Sequence, residues 1–98
     1  MRMDILVSYD VNTLDKEGRR RLRKVAKTCE GFGQRVQFSV FECTVNEADF
    51  ERLRQKLVKI INEEEDSLRI YHLRGDRADY LEHHGRNNYV DFREPLVV

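Results

Sequence analysis

The residue best placed to do chemistry is Asp10, which lies near the end of the run Met3-Asp-Ile-Leu-Val-Ser-Tyr-Asp-Val11. In an extended strand Ile5, Val7 and Tyr9 face one side and Leu6, Ser8 and Asp10 the other, so apolar area falls on both faces and the strand tip carries a carboxylate. An acid at the carboxyl end of a buried strand is placed to meet a ligand or a metal. A Tyr-Asp pair followed by Asn12 and Thr13 is equally a turn and a helix cap, and taken alone the cap is the simpler reading. One carboxylate is too little for an all-protein metal cage. Magnesium, however, commonly takes one or two carboxylates and fills its remaining positions with water and substrate phosphate. A two-fold axis that brought together Asp10 from each of two chains would suffice to activate water and to neutralise the pentavalent phosphorane of phosphodiester hydrolysis. Beside it, Tyr9 either orients a water or caps the sheet edge.

A second group is cationic. Arg19, Arg20, Arg23, Lys24 and Lys27 fall away from the apolar side of one helical stretch, and Arg35 opens the extended run that follows. Guanidinium and ammonium groups hold backbone phosphates without reading bases, although a cationic helix face is often no more than a solvated one. Phe38 and Phe41 are expected in the core rather than as base-stacking platforms. His83 and His84 are adjacent, which points their rings apart, and no third ligand stands at helical spacing, so a metal site there is not expected. Cys29 and Cys43 lie in apolar patterns without CxxC spacing and read as reduced core residues.

These residues must be positioned by a small frame. Ninety-eight residues make one domain with a single core, so a functional site is shallow or shared between subunits. The 18 basic and 18 acidic residues cancel in total but not locally: Lys16 to Arg35 holds eight bases against two acids, and Glu42 to Asp66 eight acids against four bases. With no signal peptide, membrane span or repeat in the pattern, the chain is expected to be soluble and cytoplasmic, without a membrane partner.

After the first strand, Asn12, Thr13 and Asp15 offer caps for a helix whose apolar side is Gly18, Leu22, Val25, Ala26 and Cys29. Gln34 to Val45 is extended and long, and is expected to reverse near Phe38-Ser39. Asn46 caps a second helix with the stripe Phe50, Leu53, Leu57, Ile60 and Ile61. Glu63 to Asp66 reads as a solvated acidic loop, Leu68 to Arg74 as a strand, and the polar stretch from Gly75 to Asn88 as a mobile loop. Residues 89–98 turn apolar again, and Pro95 restricts them to an edge strand or an arm. The order is the βαββαβ arrangement of an α+β, ferredoxin-like sandwich with an extra C-terminal edge strand on an antiparallel sheet. Because the strands carry apolar side chains toward both faces, the face without helices should be covered by a second copy, with residues 89–98 packing on that partner, which predicts a homodimer.

Three segments together carry a resemblance: the Leu-Val-Ser-Tyr-Asp10 strand, Arg-Leu-Arg-Lys-Val-Ala at 21 to 26, and above all Arg35-Val-Gln-Phe-Ser-Val-Phe41, followed by Ser67-Leu-Arg-Ile-Tyr71. Over nearly its whole length the chain resembles the small CRISPR-associated adaptation proteins of prokaryotes. The resemblance implies a ferredoxin-like homodimer with a swapped C-terminal strand, acting in spacer acquisition as a magnesium-dependent endonuclease on RNA or duplex DNA. In that reading one ion per dimer is held by Asp10 of both chains, and Arg35 and Phe41 line or support the cleft near it. Arg20 and Arg23 both match the family's basic helix position. The alternative implied is a duplex-DNA-binding scaffold that bridges copies of a larger integrase subunit. A reading outside the family is an RNA-recognition-like module that stacks bases on Tyr9 and Phe41.

Overall fold

The structure, a computed structural model, describes residues 2–73 and 81–86. Its elements run β1 (Arg2–Asp10), α1 (Lys16–Glu30), β2 (Gly33–Gln37), β3 (Val40–Asn46), α2 (Glu47–Ile60), β4 (Ser67–His72) and β5 (Leu81–Gly85). The sheet order is β2-β3-β1-β4-β5, and every neighbouring pair is antiparallel. The first four strands and two helices are the ferredoxin-like unit, and β5 extends it beyond β4. The long extended run does reverse at residues 38 and 39, so β2 and β3 form a hairpin.

Each helix starts where a side chain takes over an orphan backbone donor. Asp15 accepts from the Gly18 N–H at 2.7 Å, and Asn46 accepts from the Asp49 N–H at 2.7 Å. Gly18 is needed for a second reason, because a Cβ there would stand 1.8 Å from the Asn12 carbonyl oxygen, where the chain leaving β1 crosses the helix. Alternation in β1 sends Ile5, Val7 and Tyr9 to the helix side. They join Phe41, Cys43, Val45, Leu68 and Ile70 of the sheet and Val25, Cys29, Phe50, Leu53 and Leu57 of the helices in one core. Truncating Leu53 or Leu57, both fully buried, to alanine would cost about 2–5 kcal/mol. Cys29 and Cys43 are buried free thiols in this core, as their apolar setting predicts, and burial pushes them up to about 12 and about 11. The other sheet face is mixed: Leu6, Val40 and Tyr71 are half-buried among Asp4, Ser8, Asp10, Glu42, Thr44 and Arg69.

Three expectations are corrected. Leu81–Gly85, within the stretch read as a loop, is a strand paired to β4, because Glu82 and the two histidines satisfy themselves on opposite faces and so hide the alternation in polar residues. Asp66 is not a solvated acid but is fully buried, because a guanidinium and two backbone N–H groups meet it. Phe38 is not a core residue: it sits in the hairpin turn and is 90% exposed. Residues 89–98, expected as a partner-packing arm, lie outside the described residues.

Candidate active site at the tip of the central strand

Asp10 ends the middle strand of the sheet, exposed, on the face that carries no helix. Its Cα partner on β4 is Ser67, and Ser8 pairs likewise with Arg69. Arg69 in turn faces His83 on β5, and the His83 Nε2 lies 3.1 Å from the Ser67 Oγ. Directly opposed residues of an antiparallel pair hold their Cβ atoms about 4.5–5.5 Å apart, so Asp10 and Ser67 are neighbours on one surface. Ser67 and Arg69 are buried there.

The strand tip is fixed from behind. The Asp66 carboxylate accepts from the Asn12 N–H at 3.0 Å and the Asn62 N–H at 2.8 Å, and from Arg21 Nε at 2.8 Å and Nη2 at 3.2 Å. Burial alone would raise this carboxyl, but those hydrogen bonds outweigh it and hold it below the usual value. The Asp66 carbonyl accepts from the Arg86 N–H at 2.6 Å. Gly85 has φ +98°, and a Cβ there would come within 2.0 Å of the same carbonyl oxygen. Thus the chain leaving β1, helix α1, the exit of α2 and the end of β5 all converge on Asp66.

Tyr9 and Asp10, consecutive in an extended strand, leave opposite faces. Tyr9 is buried on the helix side, its ring stacked on Phe41 with centroids 6.3 Å apart, and its hydroxyl donates to the Phe38 carbonyl at 3.4 Å. Burial, with the nearby Cys29, pushes the phenol above its usual value, and Arg35 offsets this in part. The Arg35 guanidinium carbon stands 5.2 Å from the centre of the Phe41 ring, and its Nη2 reaches Glu30 at 4.0 Å. Tyr9, Phe41 and Arg35 are therefore brought together, but on the face away from the Asp10 carboxylate. Because Tyr9 and Phe41 are buried, neither presents a ring for base stacking in this chain.

The cations of α1 also sit on the helix side. Arg23, Lys24 and Lys27 are exposed and enter no ion pair among the described residues, whereas Arg20 pairs with Glu17 at 3.5 Å and Arg19 donates to the Thr13 carbonyl at 3.3 Å. Lys24 and Lys27 line an open groove with Phe32, Arg52 and Lys56, so the cationic surface continues onto α2, within the part of the sequence that is acidic on average. Arg21, in the middle of the basic run, is diverted to Asp66. The sequence offered no signal for the Ser67–His83 contact, which depends on the pairing of β4 with β5, or for the Arg21–Asp66 pair, whose members stand 45 positions apart.

Among the described residues no three His, Cys, Asp or Glu side chains stand close enough to hold a metal ion. The Asp10 carboxylate at the strand tip is a donor that fits an oxygen-preferring divalent ion when a second carboxylate and substrate oxygens complete the shell. The rings of His83 and His84 do point apart: His83 meets Ser67, and His84 meets Glu82 at 3.4 Å on the helix side.

A family model described as CRISPR associated protein Cas2 matches residues 3–79. The CRISPR-associated endoribonuclease Cas2 1 of Moorella thermoacetica is 54% identical over 96 residues, covering 98% of this chain and 100% of that protein. The CRISPR-associated endonuclease Cas2 of Halalkalibacterium halodurans is 46% identical over 95 residues, covering 97% of this chain and 99% of its own. Among solved structures, Streptococcus pyogenes Cas2 superposes with a TM-score of 0.68 at 55% identity, covering 74% of this chain and 87% of that one. A hypothetical protein from Thermus thermophilus gives 0.66 at 35% identity, over 76% and 85% of the two chains. Among the described residues no helix is long and apolar enough to cross a membrane.

Proposed function

The chain belongs to the Cas2 family of CRISPR associated proteins, and from that premise we propose that it is a metal-dependent endonuclease of spacer acquisition, a homodimer in which Asp10 of both chains holds one magnesium ion. Relatives named endoribonuclease and endonuclease support phosphodiester cleavage in RNA or DNA. The observation that carries the site is the exposed Asp10 carboxylate, at the tip of the central strand, on the face that helices leave for a second copy. Half-buried Leu6, Val40 and Tyr71 on that face give the partner apolar area to cover.

When bound, the ion supplies charge neutralisation at the phosphate and acidifies a bound water. The chain's own residues do the rest. Asp10 binds through its carboxylate oxygens, and the Asp66 hub holds the backbone that follows it. Tyr9, stacked on Phe41 beneath Arg35, anchors the residue immediately before Asp10 from the other side of the sheet and so acts in support of the site. Arg19, Arg20, Arg23, Lys24, Lys27 and Arg35 bind nucleic-acid backbone.

Asp10→Ala tests the reading, because an exposed side chain can be lost without disturbing the core. Divalent-dependent cleavage of RNA and duplex oligonucleotides should vanish while the dimer persists in solution; cleavage at the wild-type rate would overturn it.

One observation favours a second role beside the first. The helix cations and Asp10 lie on opposite faces of one protomer, so duplex can be gripped by α1 without being delivered to that protomer's Asp10. A duplex-binding scaffold that bridges copies of the larger integrase subunit would use this surface. Full spacer acquisition by an Asp10→Ala protein would separate the scaffold from the nuclease.

A further inference from the structure

The helix side of the molecule carries a groove that the Asp10 site does not use. One wall is the second half of α1, with Lys24 and Lys27, and the other is α2, where Asp49, Arg52, Lys56 and Ile60 recur at helical spacing along one stripe. Phe32, just past the end of α1, and Val45 of β3 supply apolar lining between them. The space is about 820 Å³, within the roughly 300–1,000 Å³ of clefts that hold ligands.

Its charge is one-sided. Four cations line the groove with a single carboxylate, and that one, Asp49, is taken by Arg52. Lys24, Lys27 and Lys56 are exposed and enter no ion pair among the described residues. The Lys56 ammonium instead stands 5.7 Å from the centre of the Phe32 ring, where a cation meets the ring's face. Phe32 is half-buried and packs against the core, so the face beneath Lys56 is the one turned to the groove. A ligand that suits this lining combines negative charge with a flat apolar face. A nucleotide does, since its base stacks on an aromatic ring while its phosphate takes the ammonium groups. Packed helices set their axes about 8–10 Å apart, so the gap between α1 and α2 admits a single strand, whereas a duplex, whose major groove alone is about 12 Å wide, rides over the rim.

We propose that this groove is a single-strand nucleic-acid site, in which Phe32 stacks one base and Lys24, Lys27 and Lys56 hold the flanking phosphates. It goes beyond the nuclease reading, because it lies on the face away from Asp10 and needs neither a metal nor cleavage. When a base enters, Lys56 swings from the ring to a phosphate and exchanges a weak contact for a charge-assisted one.

Fluorescence anisotropy of a labelled oligothymidylate tests the assignment, with a chelator present so that no strand is cut. Phe32→Leu keeps an apolar side chain but removes the ring; it should weaken oligothymidylate roughly fivefold or more and leave a duplex of the same length within about twofold of wild type. An oligomer of abasic residues, with the same phosphates and no bases, should bind the wild type more weakly and be indifferent to Phe32→Leu. Lys56→Gln, at an exposed residue whose loss leaves the fold intact, should reduce the salt slope for oligothymidylate by about 0.7 for the phosphate released. Equal loss on thymidylate, abasic and duplex ligands, or no loss with either variant, would overturn the proposal. Polyglutamate displacing the label as readily as unlabelled oligothymidylate would also overturn it, and would make the groove a seat for an acidic peptide. Asp10→Ala should bind oligothymidylate as the wild type does, so failure of the nuclease reading leaves this one standing.

Discussion

The guanidinium of Arg21 meets the carboxylate of Asp66 through two nitrogens, Nε to Oδ2 at 2.8 Å and Nη2 to Oδ1 at 3.2 Å, although the two residues stand 45 positions apart in the chain. The acid is fully buried and the base nearly so, with 15% of the Arg21 side chain exposed. A charge pair of this kind stabilises only while it is complete, because removal of one member leaves the other desolvated and uncompensated.

Replacing Asp66 with asparagine should therefore cost about 3–5 kcal/mol in urea denaturation. The pH dependence gives a second readout. Since the folded carboxyl is held below its ordinary value, its contribution is complete above about pH 4 and is lost as pH falls through the folded value. Wild-type stability should decline on that acid limb, and the Asp66→Asn protein should decline less.

Duplex affinity should fall steeply with salt, because counterions are released for each phosphate the protein neutralises. Exchanging Arg19, Arg20 and Arg23 for glutamine should flatten the plot of log affinity against log salt by roughly 0.9 for each phosphate no longer neutralised. An unchanged slope would remove α1 from the nucleic-acid surface and leave the groove residues Arg52 and Lys56 as the ones to replace next.

Gly85→Ala should loosen β5. The residue needs φ +98° and has no space for a Cβ, which would stand 2.0 Å from the Asp66 carbonyl oxygen. Faster amide hydrogen exchange over residues 81–85, with a lowered Tm, is the expected result; unaltered exchange would show that β5 does not depend on this close approach.

Neither cysteine should react with a thiol reagent in the native protein at pH 8. Cys29 and Cys43 are buried and their thiols are pushed up to about 12 and about 11, so both access and thiolate are lacking. Two thiols per chain should titrate after unfolding in urea, and rapid labelling beforehand would indicate local opening between α1 and β3.

Periodicity made the frame legible. Alternation marked β1, the spacing from Phe50 to Leu57 marked α2, and Asn46 with Asp49 marked its cap. It failed where polar residues are satisfied by partners distant in sequence. Asp66 looked solvated because nothing nearby announces Arg21, and Glu82 to His84 looked like loop because their partners lie on α2 and β4. Phe38 looked like core because hydrophobicity alone cannot distinguish a strand position from the turn that joins two strands. Asp10 was legible as a strand-tip acid, whereas the choice for Tyr9 between orienting a water and capping the sheet edge was not, since it turns on contacts with Phe41 and Phe38. That Asp10 shares a surface with Ser67 and His83 was not legible, since that depends on the register of three strands.

The central place of β1 in the sheet also bears on synthesis. The first strand made is the one that must be flanked by β3 and β4, so Ile5 and Val7 wait until residue 72 has been added before both edges are paired. At roughly 5–20 residues per second, that leaves an apolar N-terminal segment half-finished for several seconds. Helix α1, finished much earlier, is the element available to shelter it in the meantime.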